Sequence, residues 1–235
     1  MSVDVRPPAT VRVAASTGRG RALLRGVGEL LITAGVVILL FAVYELYGTG
    51  LTNAREQDRL ERQLAAEWSD PPAAERSAPP VRSVQAPALG SPVAVLAIPR
   101  LGEDYRHVIV EGVGPEELKK GPGHQPGTAR PGQLGNTVLA GHRTTDGVPF
   151  GRFDEILAGD DVVVTDATGS YTYRISGTEI VDPSDTAVVL PVPRQPGAQP
   201  TQRLLTPISC TPKYSAKYRL IITGELVSQG ERSAF

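Results

Sequence analysis

One cysteine among 235 residues, Cys210, rules out a disulfide within the chain and excludes zinc sites built from paired cysteines. Aromatic residues are scarce at 5 %. With 25 Gly and 21 Pro, that scarcity favours short strands joined by tight turns over a helical bundle. A surplus of positive charge is also missing, since 24 Lys plus Arg face 25 Asp plus Glu, and lysine occurs only at positions 119, 120, 213 and 217. Without a basic face to neutralise a run of phosphates, nucleic acid is not an expected partner. No internal repeat is present, and the length suits one ordinary domain with appended segments.

The long apolar run lies near the beginning. Residues 30–44 carry no charge, and apolar neighbours extend the stretch to 26–47 across Glu29 and Glu45. About 20 apolar residues span a bilayer core, so 26–47 is expected to form one transmembrane helix, its two glutamates at the interfaces near Tyr44 and Tyr47. A cleavable signal peptide is the competing reading, because the uninterrupted apolar core is short. Arg6, Arg12, Arg19, Arg21 and Arg25 all precede the run, which places residues 1–25 in the cytoplasm and the remainder outside, a single-pass arrangement in the cell membrane. Residues 53–68 are polar, with Leu60, Leu64 and Trp68 at helical spacing, and Asp70, Pro71 and Pro72 should stop that helix. Pro79, Pro80 and Pro87 follow amid Ala, Ser and Arg, a composition that cannot bury a core. Residues 48–92 therefore read as a stalk and Pro-rich linker that serve localisation only.

From position 93 the pattern changes to short β-branched runs at 93–98, 107–110, 136–140, 162–165, 171–175, 203–209 and 220–227, with turn signals between them. Asp166 to Gly169 suits a hairpin turn, and the helical candidates, 115–119 and 152–157, are brief. The expected fold class is all-β, a closed barrel over 93–228 with short helices and a tail at 229–235, because closure removes strand edges without disulfides or a helical layer.

Three histidines and the lone cysteine are the candidates for chemistry. His142 follows the apolar strand Asn136 to Gly141, which puts its side chain at a barrel rim on a rigid element. His107 lies inside a strand pattern and His124 in a glycine- and proline-rich loop, where structural roles suffice. No close ligand spacing among these residues supports a metal. Cys210 ends the apolar run from Leu204, and Arg219 opens the next strand nine residues on, so a hairpin would place thiol and guanidinium at one end. A cationic neighbour favours the nucleophilic thiolate, whereas a core position would leave the cysteine inert. On spacing alone Arg219 could equally be a solvated rim charge.

Leu139-Ala140-Gly141-His142-Arg143, then Thr206-Pro207-Ile208-Ser209-Cys210, then Arg219, resemble in order and spacing the signature of sortases, most closely class E enzymes of high-GC Gram-positive bacteria. The likeness extends over residues 93–227. Pro207 and Ser209 replace the Leu and second Thr of the family's usual Thr-Leu-x-Thr-Cys. The resemblance implies an eight-stranded barrel, no cofactor, and roles for Cys210 as nucleophile, His142 as acid/base and Arg219 as oxyanion group, with Thr206 and Ser209 at the peptide groove. It also implies substrates: secreted proteins with a C-terminal sorting signal of the Leu-Pro-x-Thr-Gly or Leu-Ala-x-Thr-Gly kind, cut between Thr and Gly, and a cell-wall precursor amine as acceptor. A hydrolytic cysteine peptidase and a non-catalytic envelope-binding module are the alternatives.

Overall fold

The computed structural model describes residues 18–69 and 86–232. Most of the basic N-terminal segment and of the Pro-rich linker, with the last three residues of the tail, lie outside the described residues. The chain divides into two compact units, Met1–Tyr47 and Gly48–Phe235. Helix α1 (Gly18–Ser69) contributes to both.

In the first unit, Gly20–Ala42 is a 23-residue helical stretch long and apolar enough to cross a membrane. At 1.5 Å per residue it covers about 34 Å, against roughly 30 Å of hydrocarbon. Leu30, Leu31, Ile38 and Phe41 are exposed, as a lipid-facing surface requires.

The second unit is a closed barrel of eight strands: β1 (Pro92–Ala97), β2 (Arg106–Glu111), β3 (Gly123–His124), β4 (Gly135–Ala140), β5 (Asp161–Thr165), β6 (Ser170–Val181), β7 (Arg203–Thr211) and β8 (Tyr218–Gly230). Around the barrel they run β1-β2-β3-β4-β7-β8-β6-β5, and β5 closes onto β1. Neighbours are antiparallel except β2 with β3 and β4 with β7. Alternate residues point inward, so Leu96, Ile109, Leu139, Val162, Val164, Tyr173, Leu205 and Ile222 fill the interior with Phe150 and Phe153 stacked among them. The segments 115–119 and 152–157, expected to be helical, hold a single turn, α2 (Pro115–Leu118), and a 3-10 turn, Phe153–Glu155.

Three boundaries differ from expectation. First, residues 53–69 are no free stalk. Leu60, Leu64 and Trp68 are buried against Val95, Val108 and Val110 on the outer face of β1 and β2. On the same face Gln57 accepts from Val108 N–H (2.7 Å) and donates to the Val108 and Lys120 carbonyls (3.3 and 2.5 Å). It thus satisfies β2 where the two-residue β3 is too short to reach. Second, β6 and β8 continue through polar residues, to Val181 and Gly230, because one flank of each long strand faces water. Third, the expected tail begins inside β8, and Arg232 donates to the Trp68 carbonyl (3.3 Å) with its guanidinium 5.1 Å from the indole centroid. Since Leu64 is 1 % exposed, Leu64→Ala is expected to destabilise the barrel unit by about 2–5 kcal/mol, read as a lower melting temperature of the full chain in detergent.

Candidate active site

The parallel pairing of β4 with β7 ends at Ala140 opposite Ile208. Gly141 N–H carries it one step further by donating to the Ile208 carbonyl (3.1 Å), and Ser209 Oγ returns a bond to the Gly141 carbonyl (2.9 Å). His142 and Cys210 each stand two positions beyond the last paired residues, so they share one level at one end of the barrel. Across the other edge of β7, Cys210 is the direct partner of Arg219 on β8. Directly opposed residues project on the same face with Cβ atoms roughly 5 Å apart. That face is the outer one: Leu205 and Leu220 point into the core, whereas Ile208 and Ile221, in step with Cys210 and Arg219, pack outside against Val181, Val188 and Val189. Cys210 does not end its strand, as the run of apolar residues suggested. It lies within it, half-buried, and the connecting loop is reduced to residues 212–217.

Gly141 is glycine for a packing reason. A Cβ there would lie 2.6 Å from the Phe150 ring, which closes under the strand end while Phe150 N–H donates to the His142 carbonyl (3.0 Å). His142 Nε2 is 3.5 Å from Asp146 Oδ2, with both side chains about a third exposed. Arg219 Nη1 donates to the carbonyls of Ala216 (2.9 Å) and Tyr218 (3.2 Å), which fixes the guanidinium at the end of its strand. Asp182, just beyond β6, has its carboxyl held below the usual range by the Ser184 hydroxyl and N–H and, more weakly, by the charge of Arg219.

Arg143 and Asp146 went unassigned in the sequence. Arg143 is 6 % exposed; its Nη1 donates to Thr211 Oγ1 (2.8 Å) and the Cys210 carbonyl (3.4 Å), and its Nη2 pairs with Asp154 (2.9 Å). Partial desolvation raises the Asp154 carboxyl, but the Arg143 hydrogen bond and the nearby Lys213 outweigh this and leave it lowered. A charged residue directly after the histidine of a buried strand end was the one available signal. Asp146 offered only its i+4 spacing from His142.

Thr206 and Ser209 are 1 % and 2 % exposed, so neither hydroxyl faces a groove. Thr206 Oγ1 donates to Asn136 Oδ1 (2.6 Å), and Asn136 Nδ2 donates to the Val188 and Leu190 carbonyls (3.1 and 3.2 Å), which ties the β6–β7 segment to the outer face of the barrel. The other histidines lie elsewhere. His107 stacks edge-on against Tyr105, and burial pushes its pKa down to about 4. His124, expected in a loop, is buried in β3 with Nδ1 2.8 Å from Glu111 and Nε2 near the Ala129 carbonyl (3.1 Å) and Thr128 Oγ1 (3.2 Å). A cavity of about 410 Å³ beside Arg130, Gln133, Asp166 and Tyr171 opens at the opposite end of the barrel and contains none of the chemical residues.

The described unit is thus a closed eight-stranded barrel that carries a half-buried cysteine opposite an arginine, with a histidine at the neighbouring strand end. Residues 96–227 match the Sortase domain, and the chain belongs to the sortase family. It is 33 % identical over 217 residues to Sortase SrtE1 of Streptomyces coelicolor, an alignment covering 89 % of this chain and 58 % of that protein. The solved structure of sortase E from Streptomyces avermitilis is 43 % identical, with a TM-score of 0.56 over 61 % of this chain and 93 % of that one. Sortase E1 of S. coelicolor, solved with a tripeptide in the active site, is 35 % identical with a TM-score of 0.54, covering 61 % and 93 %.

Proposed function

We propose that this chain is a membrane-anchored class E sortase that cleaves a sorting signal of the Leu-Pro-x-Thr-Gly or Leu-Ala-x-Thr-Gly kind between Thr and Gly and passes the acyl group to a cell-wall precursor amine. The observation that carries the reading is the direct pairing of Cys210 with Arg219 beside the strand end that bears His142. The Cys210 thiolate attacks the Thr carbonyl carbon. Arg219 spends Nη1 on its own loop, and its remaining N–H groups meet the oxygen as negative charge develops there. His142, as imidazolium paired with Asp146, protonates the departing Gly amine; as neutral imidazole it takes a proton from the incoming amine when the thioester is resolved. The five arginines ahead of the apolar run at 26–47 support a cytoplasmic N-terminus and an extracellular barrel.

The test incubates the full chain in detergent with both sorting peptides, with and without an amine acceptor, and follows products by mass spectrometry. Acyl transfer to the amine is the expected result. Hydrolysis unaffected by the amine would make the protein a peptidase, and no thioacylation at all would leave a binding module. Within the same assay His142→Ala is expected to lose about 10²–10⁴ in rate, whereas folded His107→Ala and His124→Ala retain most turnover. Equal losses in all three would remove the basis for assigning His142.

A further inference from the structure

The loop after His142 is strained. Asp146, Gly147 and Val148 take φ values of +52°, +74° and +53° in succession. A left-handed backbone costs an ordinary residue about 1–2 kcal/mol and is least tolerated by a β-branched one, so such an arc persists only where its surroundings over-determine it. On the barrel side, Tyr105 donates its hydroxyl to the Pro149 carbonyl and Phe150 N–H donates to the His142 carbonyl. The other side is closed by helix α1. Asn53 is buried there, with its Nδ2 committed to the Lys119 carbonyl (2.8 Å), which turns Oδ1 onto Gly147. A Cβ on Gly147 would sit 1.9 Å from that oxygen. The residue between Gly147 and the rest of the loop is Asp146, the ion-pair partner of His142. Asn53, Gln57, Leu60, Leu64 and Trp68 lie on one stripe of the helix, so the docking that buries Leu60 and Leu64 on β1 and β2 also fixes Asn53 against the loop.

We infer that Asn53, on the helix segment read from sequence as a passive stalk, is a positioning residue for His142: it presses Gly147 into the left-handed arc that presents Asp146 to the imidazole. The inference deepens the sortase reading and rests on His142 acting as acid/base. It gives residues 53–69 a share in catalysis as well as in packing, because a chain without them loses one wall of the His142 loop.

Two measurements on the full chain in detergent test it. The first needs no substrate: with three histidines in the chain, the titration of His142 can be followed through its imidazole proton signals in NMR. Asn53→Ala is expected to displace that titration curve, and Val164→Ala, which opens the core on β5 away from both the helix and the loop, to lower the melting temperature and leave the curve in place. The second is thioacylation by a sorting peptide. Asn53→Ala should lower kcat about tenfold with KM unchanged, shift the pH–rate profile with the titration, and add nothing further in an Asp146→Asn background. Wild-type titration and kcat in Asn53→Ala would overturn the inference, as would an equal effect of Val164→Ala on the curve. If the wild-type chain forms no thioester yet Asn53→Ala still moves the His142 curve, the sortase reading falls and the positioning role stands.

Discussion

Cys210→Ala is expected to fold as the wild type does and to form no covalent intermediate with any sorting peptide. The chain holds no second thiol to take over the attack. Cys210 is half-buried within β7, with a backbone fixed by pairing to Arg219 and by the Arg143 bond to its carbonyl, so removing one sulfur leaves those constraints in place. The check is intact mass after incubation with peptide, beside a melting curve. A residual adduct on the folded alanine variant would show that another nucleophile carries the reaction.

The second large effect concerns Arg219. Loss of one oxyanion donor typically lowers the rate by ~10²–10³, and Arg219→Ala is expected to fall at least that far in single-turnover thioacylation. Arg219→Lys should recover only part of the loss, because an ammonium cannot both hold the Ala216 and Tyr218 carbonyls in the guanidinium's planar geometry and face the substrate oxygen. The site is on the outer face of a strand end, so melting temperatures of both variants should stay close to the wild type. Near-normal thioacylation by folded Arg219→Ala would sink the assignment.

The barrel was legible because its core strands alternate. Val162 and Val164 or Leu220 and Ile222 announce an inward face two residues at a time. The chemical residues were legible because they end or open such runs. What escaped notice had no period to betray it. β3 is two residues long, too short for any alternation, so buried His124 looked like a loop residue. Asn53 and Gln57 are polar and read as solvated, yet they are held by the backbone of residues 108, 119 and 120, partners that carry no side-chain signature. Thr206 and Ser209 belong to a motif associated with substrate, but their hydroxyls bond within the protein, a matter of which way each faces and what stands there. The polar ends of β6 and β8 were cut short because their exposed flanks resemble loops.

The mixed pairing of β7, antiparallel to β8 and parallel to β4, builds the site from contacts of two very different sequence separations. Cys210 and Arg219 meet across a short hairpin, a local closure that an unfolded chain samples quickly. His142 reaches them only through a parallel pairing whose terminal bond, Ser209 to Gly141, spans 68 positions, a closure with a larger loop entropy to overcome. Thiol and guanidinium are thus held together by a local closure of the chain, whereas the imidazole joins them only through the long-range pairing of β4 with β7.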